Sequence, residues 1–174
     1  MNPNTGENVA MSEIPRLQDL LHRMYDGDAF YGDSIVTVLS DIDTAQAFWV
    51  PDGASHNIWQ ILRHMTVWTD IIRQRLTSPT IIEVESNEQN FPMAPAASDA
   101  GWQSAQADFK SALDELIAAS GSFPEAKLAA GVPERGYTFY MLLHGEAHHA
   151  LYHLGQISLI KAMYKGVSNR AESA

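Results

Sequence analysis

Four of the seven histidines of this 174-residue chain, His144, His148, His149 and His153, fall within ten residues in the run LLHGEAHHALYHLGQISLI. Imidazole binds borderline metal ions and moves protons near neutral pH, so such a run is a candidate for chemistry. It holds two pairs spaced four apart, 144 with 148 and 149 with 153. On a helix each pair faces one direction a turn apart, the spacing at which two side chains reach one ion. At about 100° per residue the two pair directions lie roughly 140° apart, so one ion cannot use both. Leu142, Ile157, Ile160 and Tyr164 share the bearing of His149 and His153, which makes that pair core-facing. His144 and His148 share theirs with Met141, Leu151, Gly155 and Leu159, the pattern of a helix contact or a subunit interface.

A metal site needs at least a third protein ligand. His64 is the best candidate, an isolated imidazole on an otherwise apolar helix face; His22 and His56 have weaker settings near helix starts. Three neutral imidazoles would leave coordination positions open. Glu146, one turn before His149, is a candidate ligand-orienting group or general base, and Gln156 is a candidate hydrogen-bond partner behind the second ligand. The competing readings are structural: a core histidine at 64, a solvated glutamate at 146, a helix-packing contact at 156. The chain has no cysteine, so any thiol chemistry requires an added thiol.

The elements that must hold these groups are helices. From Pro15, positions 17, 20, 21 and 24 recur at helical spacing, and Gly27 and Gly32 bend or narrow the run before Ile35, Val38, Leu39 and Ile42 continue the stripe. After a turn at 49–54, Ser55 or Asn57 caps a second long helix through Leu76, ended by Pro79. Residues 80–97 read as a long loop without helical pattern, and loops of that length are often functional. Ser98 caps a third helix that stops at Gly121, and the last runs from about Thr138 to Tyr164. Trp59, Trp68 and Trp102 are expected in the core or a pocket wall. Strand signals are nearly missing, so the fold class is all-α, a four-helix bundle. One domain over 14–166 is expected, with 1–13 a disordered extension and 167–174 a frayed tail.

Composition excludes several functions. The formal charge is −10, from 21 acidic against 11 basic residues, which repels nucleic-acid phosphate. There is neither an apolar run of membrane-spanning length nor a secretory signal pattern at the start, so a soluble, cytoplasmic protein is expected.

HALYHLGQI at 149–157 resembles the H-x-x-Y-H-x-G-Q-I signature of the DinB-like, or YfiT-like, DNA-damage-inducible metal-dependent family. SHNIWQILRHMTVW at 55–68 is similar to that family's second helix, and NFP at 90–92 and SDAGW at 98–102 resemble its loop and third-helix entry. The resemblance covers roughly residues 15–165. It implies an up-down-down-up four-helix bundle holding a divalent ion, nickel or zinc, on three histidines, here His64, His149 and His153. It also implies a homodimer and, for some relatives, thiol-dependent transferase or isomerase activity with low-molecular-weight bacterial thiols. The leading functional expectation is a metal-dependent S-transferase acting on small electrophiles, held beside Trp59, Trp68 or the 80–97 loop. A metal-dependent hydrolase and a non-catalytic metal- or ligand-binding bundle are the alternatives.

Overall fold

The computed structural model describes residues 12–78, 80 and 83–172, and among these it is helical with no strand. The expectation of a disordered 1–13 extension falls almost entirely outside the described residues. The first long helix, α1 (Glu13–Tyr25), buries Ile14, Leu17, Leu21 and Met24. Leu20, counted in the apolar stripe, is instead 36% exposed, because its bearing falls between the buried face and solvent. The expected bent helix is broken outright: α1 ends at Tyr25, and Gly32 takes φ +126°, a conformation L side chains rarely adopt. The chain restarts as two short helices, α2 (Ile35–Leu39) and α3 (Thr44–Phe48), whose Ile35, Val38, Leu39 and Ala47 enter the core.

The second long helix, α4 (Ile58–Thr77), begins at Asn57 rather than Ser55. The Asn57 side chain accepts from the Gln60 N–H at 2.8 Å while Gln60 Oε1 accepts from the Asn57 N–H at 3.3 Å, a reciprocal cap. Pro79, expected to end α4, lies outside the described residues; the last helical residue is Thr77. The 80–97 connection contains a helical turn, α5 (Asn87–Asn90), capped by Ser86 and too short to show an apolar period. The third long helix, α6 (Asp99–Gly121), has both expected ends, with Ser98 Oγ accepting from the Gly101 N–H at 3.1 Å. After a 3-10 turn at Glu125–Lys127 comes α7 (Phe139–Glu172), entered at Thr138, whose Oγ1 accepts from the Met141 N–H. It continues past the expected end near Tyr164 into the segment read as a frayed tail.

α4 packs against α6 and α7, and α1 against the same two. Contact order gives their directions. Trp59, Arg63 and Arg73 meet Gly101, Asp108 and Glu115 in the same sequence order, so α4 and α6 run parallel. Arg75 meets Tyr137, Thr69 meets Glu146 and His64 meets His149, so α4 and α7 run antiparallel. Gln18 reaches Ile117 while Tyr25 packs on Phe109, so α1 opposes α6. The shared core includes Leu17, Leu62, Met65, Phe109, Leu113, Leu116, Leu143 and Ile157, all essentially inaccessible. Two tryptophans belong to this core: Trp59, whose Nε1–H donates to Gly101 O, and Trp102, whose Nε1–H donates to Ile42 O. No helix of the described residues is long and apolar enough to cross a membrane.

Candidate metal centre

Antiparallel packing of α4 on α7 brings His64 opposite His149 and His153. The His64 and His149 Nε2 atoms stand 3.1 Å apart, and one candidate ligand nitrogen from each of the three residues lies within 4.8 Å of the others. The ring of His153 is 4.5 Å from each of the other two, centre to centre. His64 and His153 are buried and His149 half-buried. Nitrogens bound to one ion at about 2.0–2.1 Å are themselves roughly 3 Å apart, so this spacing fits the donor set of a divalent ion.

Two rings have their tautomer set from behind. His64 Nδ1 lies 2.9 Å from the Asn90 carbonyl, to which it must donate, leaving Nε2 as a lone-pair donor toward the centre. His153 Nδ1 lies 2.7 Å from Gln156 Oε1, the same arrangement with a side-chain acceptor. Such outer contacts orient metal-binding imidazoles and raise their basicity. Burial pushes His64 down to about 4 and His149 down to about 3, with the neighbouring imidazoles adding to the effect, and it lowers His153 as well. All three are therefore neutral at pH 7, the form that binds metal.

The 80–97 connection completes the wall. Phe91 stacks flat on His64, centroids 4.1 Å apart at 3°, and on its other face meets His56 at 3.8 Å and 4°. Trp68 Nε1–H donates to Asn90 Oδ1 at 2.8 Å, which holds the residue whose carbonyl orients His64. Neither Asn90 nor Phe91 was singled out individually among the site residues. A backbone carbonyl has no sequence signature; the pointers to this segment are the length of the loop and the resemblance of NFP at 90–92 to the family's loop. His56, a weaker candidate near a helix start, is one side of the Phe91 stack.

The remaining sequence candidates are elsewhere. His144 faces Glu13 of α1, Nε2 to Oε1 2.9 Å, and packs on Tyr140; His148 is exposed. His22 is exposed on α1. Glu146 is fully buried between α7 and α4, away from the residues that line the cavity beside the histidines. Its Oε1 is 2.5 Å from Thr69 Oγ1, and Thr69 Oγ1 is also 2.9 Å from the Met65 carbonyl. One hydroxyl proton cannot serve both acceptors. A protonated Glu146 donating to Thr69, with Thr69 donating to Met65, makes both contacts hydrogen bonds. Burial favours the same state, pushing Glu146 up from 4.5 to about 7.

A cavity of about 500 Å³ opens from the histidines, walled by Trp68, Ile72, Met141, Leu142, Gly145 and Tyr152 and reaching Arg75 and Tyr137. Of the tryptophans expected beside a bound molecule, Trp68 is in this wall and Trp59 is in the core. The volume is that of an ordinary small-molecule site.

The family model of the DinB superfamily matches residues 32–157, a span that contains the three histidines, the Asn90 loop and Gln156. The chain belongs to the DinB superfamily. No curated protein and no solved structure matches it.

Proposed function

We propose that the protein is a divalent-metal-dependent enzyme acting on small molecules, with nickel or zinc held by His64, His149 and His153 in an up-down-down-up four-helix bundle of α1, α4, α6 and α7. The pairwise helix directions support that bundle course. The observation that carries the function is the convergence of three neutral imidazoles at the inner end of a cavity, with no carboxylate among the described residues joining them as a fourth ligand. An ion there would act as a Lewis acid that lowers the pKa of a bound thiol or water. The chain's own residues do the rest. Asn90 and Gln156 hold two rings in the ligating tautomer, Phe91 fixes the plane of His64, and Trp68, Ile72 and Leu142 give the cavity an apolar wall. Because the chain lacks cysteine, the nucleophile of the proposed S-transfer is a low-molecular-weight thiol co-substrate, and the acceptor is a small electrophile. Gln156 is a positioning residue, and Glu146 braces α4 against α7.

Elemental analysis of untagged protein beside His64→Ala and His149→Ala tests the centre. One ion per wild-type chain, with loss in both variants, is the expected result; stoichiometric metal in either variant excludes the ligand set. The metal-loaded protein should then accelerate conjugation of a bacterial thiol to an electrophile. A broad panel without turnover by fully loaded protein excludes the transferase and leaves the hydrolase and the binding protein.

A further inference from the structure

Gly145 lies inside α7 and lines the cavity beside the histidines. A glycine within a helix is unfavourable relative to alanine, because it gives up more backbone freedom on folding than any other residue. Packing can demand it where a neighbouring element comes too close for a side chain. No such demand exists at Gly145: its backbone is ordinary helix, and apart from its own turn of helix nothing among the described residues stands within 4 Å of where a Cβ would be. What the residue provides is open space.

That space has a definite place. Contacts across the seam of α4 and α7, Thr69 with Glu146 and His64 with His149, put Gly145 within a turn of the level of Trp68 on the opposing helix. Along α7 itself His149 follows one turn later, about 6 Å up the axis on the same side. Met141 and Tyr152 share the bearing of Gly145 to within about 40°, stand before and after it, and are both more than half exposed. All five residues line the one cavity. Its α7 rim is thus a gap of bare backbone between a thioether and a phenol, with an indole at the same level across the seam and the His149 imidazole a turn away. A gap bounded by two aromatic rings and a thioether favours an aromatic guest, because ring pairs and sulfur–ring contacts both add to simple burial.

We propose that Gly145 is a specificity-determining residue, its missing side chain making room beside His149 for an aromatic ring system carried by the small-molecule ligand. The inference rests on the small-molecule reading above and names the class of substrate the site accepts. The electrophile of the proposed S-transfer is then one that bears an aryl group, and Gly145 acts through fit rather than through bond making.

The test uses the full chain after incubation with zinc. Calorimetric titration with naphthylmethanol, its decahydro counterpart and undecanol compares alcohols of equal carbon number, so any contact of the hydroxyl with an ion is common to all. The naphthyl probe should bind about 2- to 10-fold tighter than the saturated ring. Gly145→Ala should raise Tm by about 2–4 °C, because helix propensity improves and nothing is displaced. The same variant should weaken naphthyl binding about fivefold or more, because the added methyl takes the place of the ring. Gly145→Leu should abolish that binding. A glycine kept for folding would behave in the opposite way, with Tm falling in Gly145→Ala. Should Gly145→Leu not fold or not hold the ion, the wild-type ranking and Gly145→Ala still decide. No preference for the naphthyl probe, no binding of any probe, unchanged naphthyl affinity in Gly145→Ala, or a Tm that does not rise in that variant overturns the inference. The metal measurement is separate. Stoichiometric metal without aryl preference removes the aromatic substrate class and leaves the centre, whereas aryl preference without metal keeps the binding gap and removes the metalloenzyme.

Discussion

His64 illustrates how little of a site one residue type discloses. Its isolation on an apolar helix face marked it, and helical phase alone separated His149 and His153 from His144 and His148. That much was legible, because ligand candidacy follows from side-chain type and bearing. What sets the tautomer of His64 was not, since the acceptor is the main-chain oxygen of Asn90 and any residue there carries one. Arg75, buried against Tyr137 and Trp68, was equally silent, because an arginine near a helix end looks like any solvated one until the opposing wall is known. Glu146 was placed on the right helix and given the wrong outlook: its bearing resembles that of His149, but Thr69 meets it inside the protein. Its folded-state pKa of about 7 exceeds the ordinary 4.5, so the folded chain holds a proton that the unfolded chain releases across that interval. The contribution of neutral Glu146 is therefore full below about pH 4.5 and declines as pH rises through about 7. Denaturant titration of metal-free protein should show Glu146→Gln gaining relative to wild type between pH 5 and 8, by an amount that grows with pH. A constant difference would mean Glu146 is charged in the fold. Removing the Gln156 acceptor is expected to weaken metal affinity about 10- to 100-fold without eliminating the site, measurable by competition with a chelator.

Among the elements, the long helices were readable and the short ones were not. α6 shows both expected boundaries because a serine cap and a terminal glycine bracket a sustained 3.6-residue period. The region after Tyr25 carries the same period, so it reads as one bent helix; the chain leaves the helix at Asp26, ahead of the positive φ of Gly32, and hydrophobic spacing encodes neither. α5 is one turn long, too short for any period to show, and it owes its existence to the Ser86 cap and to packing against α4. For α4, capping has a measurable value. Asn57 bonds both the first turn and the Phe48 carbonyl, so Asn57→Ala should cost about 1 kcal/mol, seen as a fall in Tm of about 2–4 °C. A variant as stable as wild type would show that tertiary packing alone sets the start of α4.

For the whole molecule, α7 carries large apolar side chains that stay exposed. Met141, Tyr152 and Leu159 are more than half exposed, the first two at the rim of the histidine cavity, and among the described residues nothing approaches within 4 Å of where a Cβ would stand at Gly155. This is the face on which the homodimer implied by family resemblance is expected. Sedimentation velocity should give a dimer that Leu159→Glu converts to monomer with its helical content unchanged; a wild-type monomer at micromolar concentration would remove the dimer from consideration. The antiparallel seam of α4 and α7 also orders events in time. His64 and His149 are 85 residues apart in sequence. At ribosomal rates of about 5–20 residues per second, the first leaves the peptidyl-transferase centre roughly 4–17 s before the second. During that interval His64 lacks both of its α7 partners, so an ion held by all three histidines would be acquired only after the last helix is synthesised and docked. Metal occupancy would then be a certificate of completed folding, which a chain stalled before His153 could not carry.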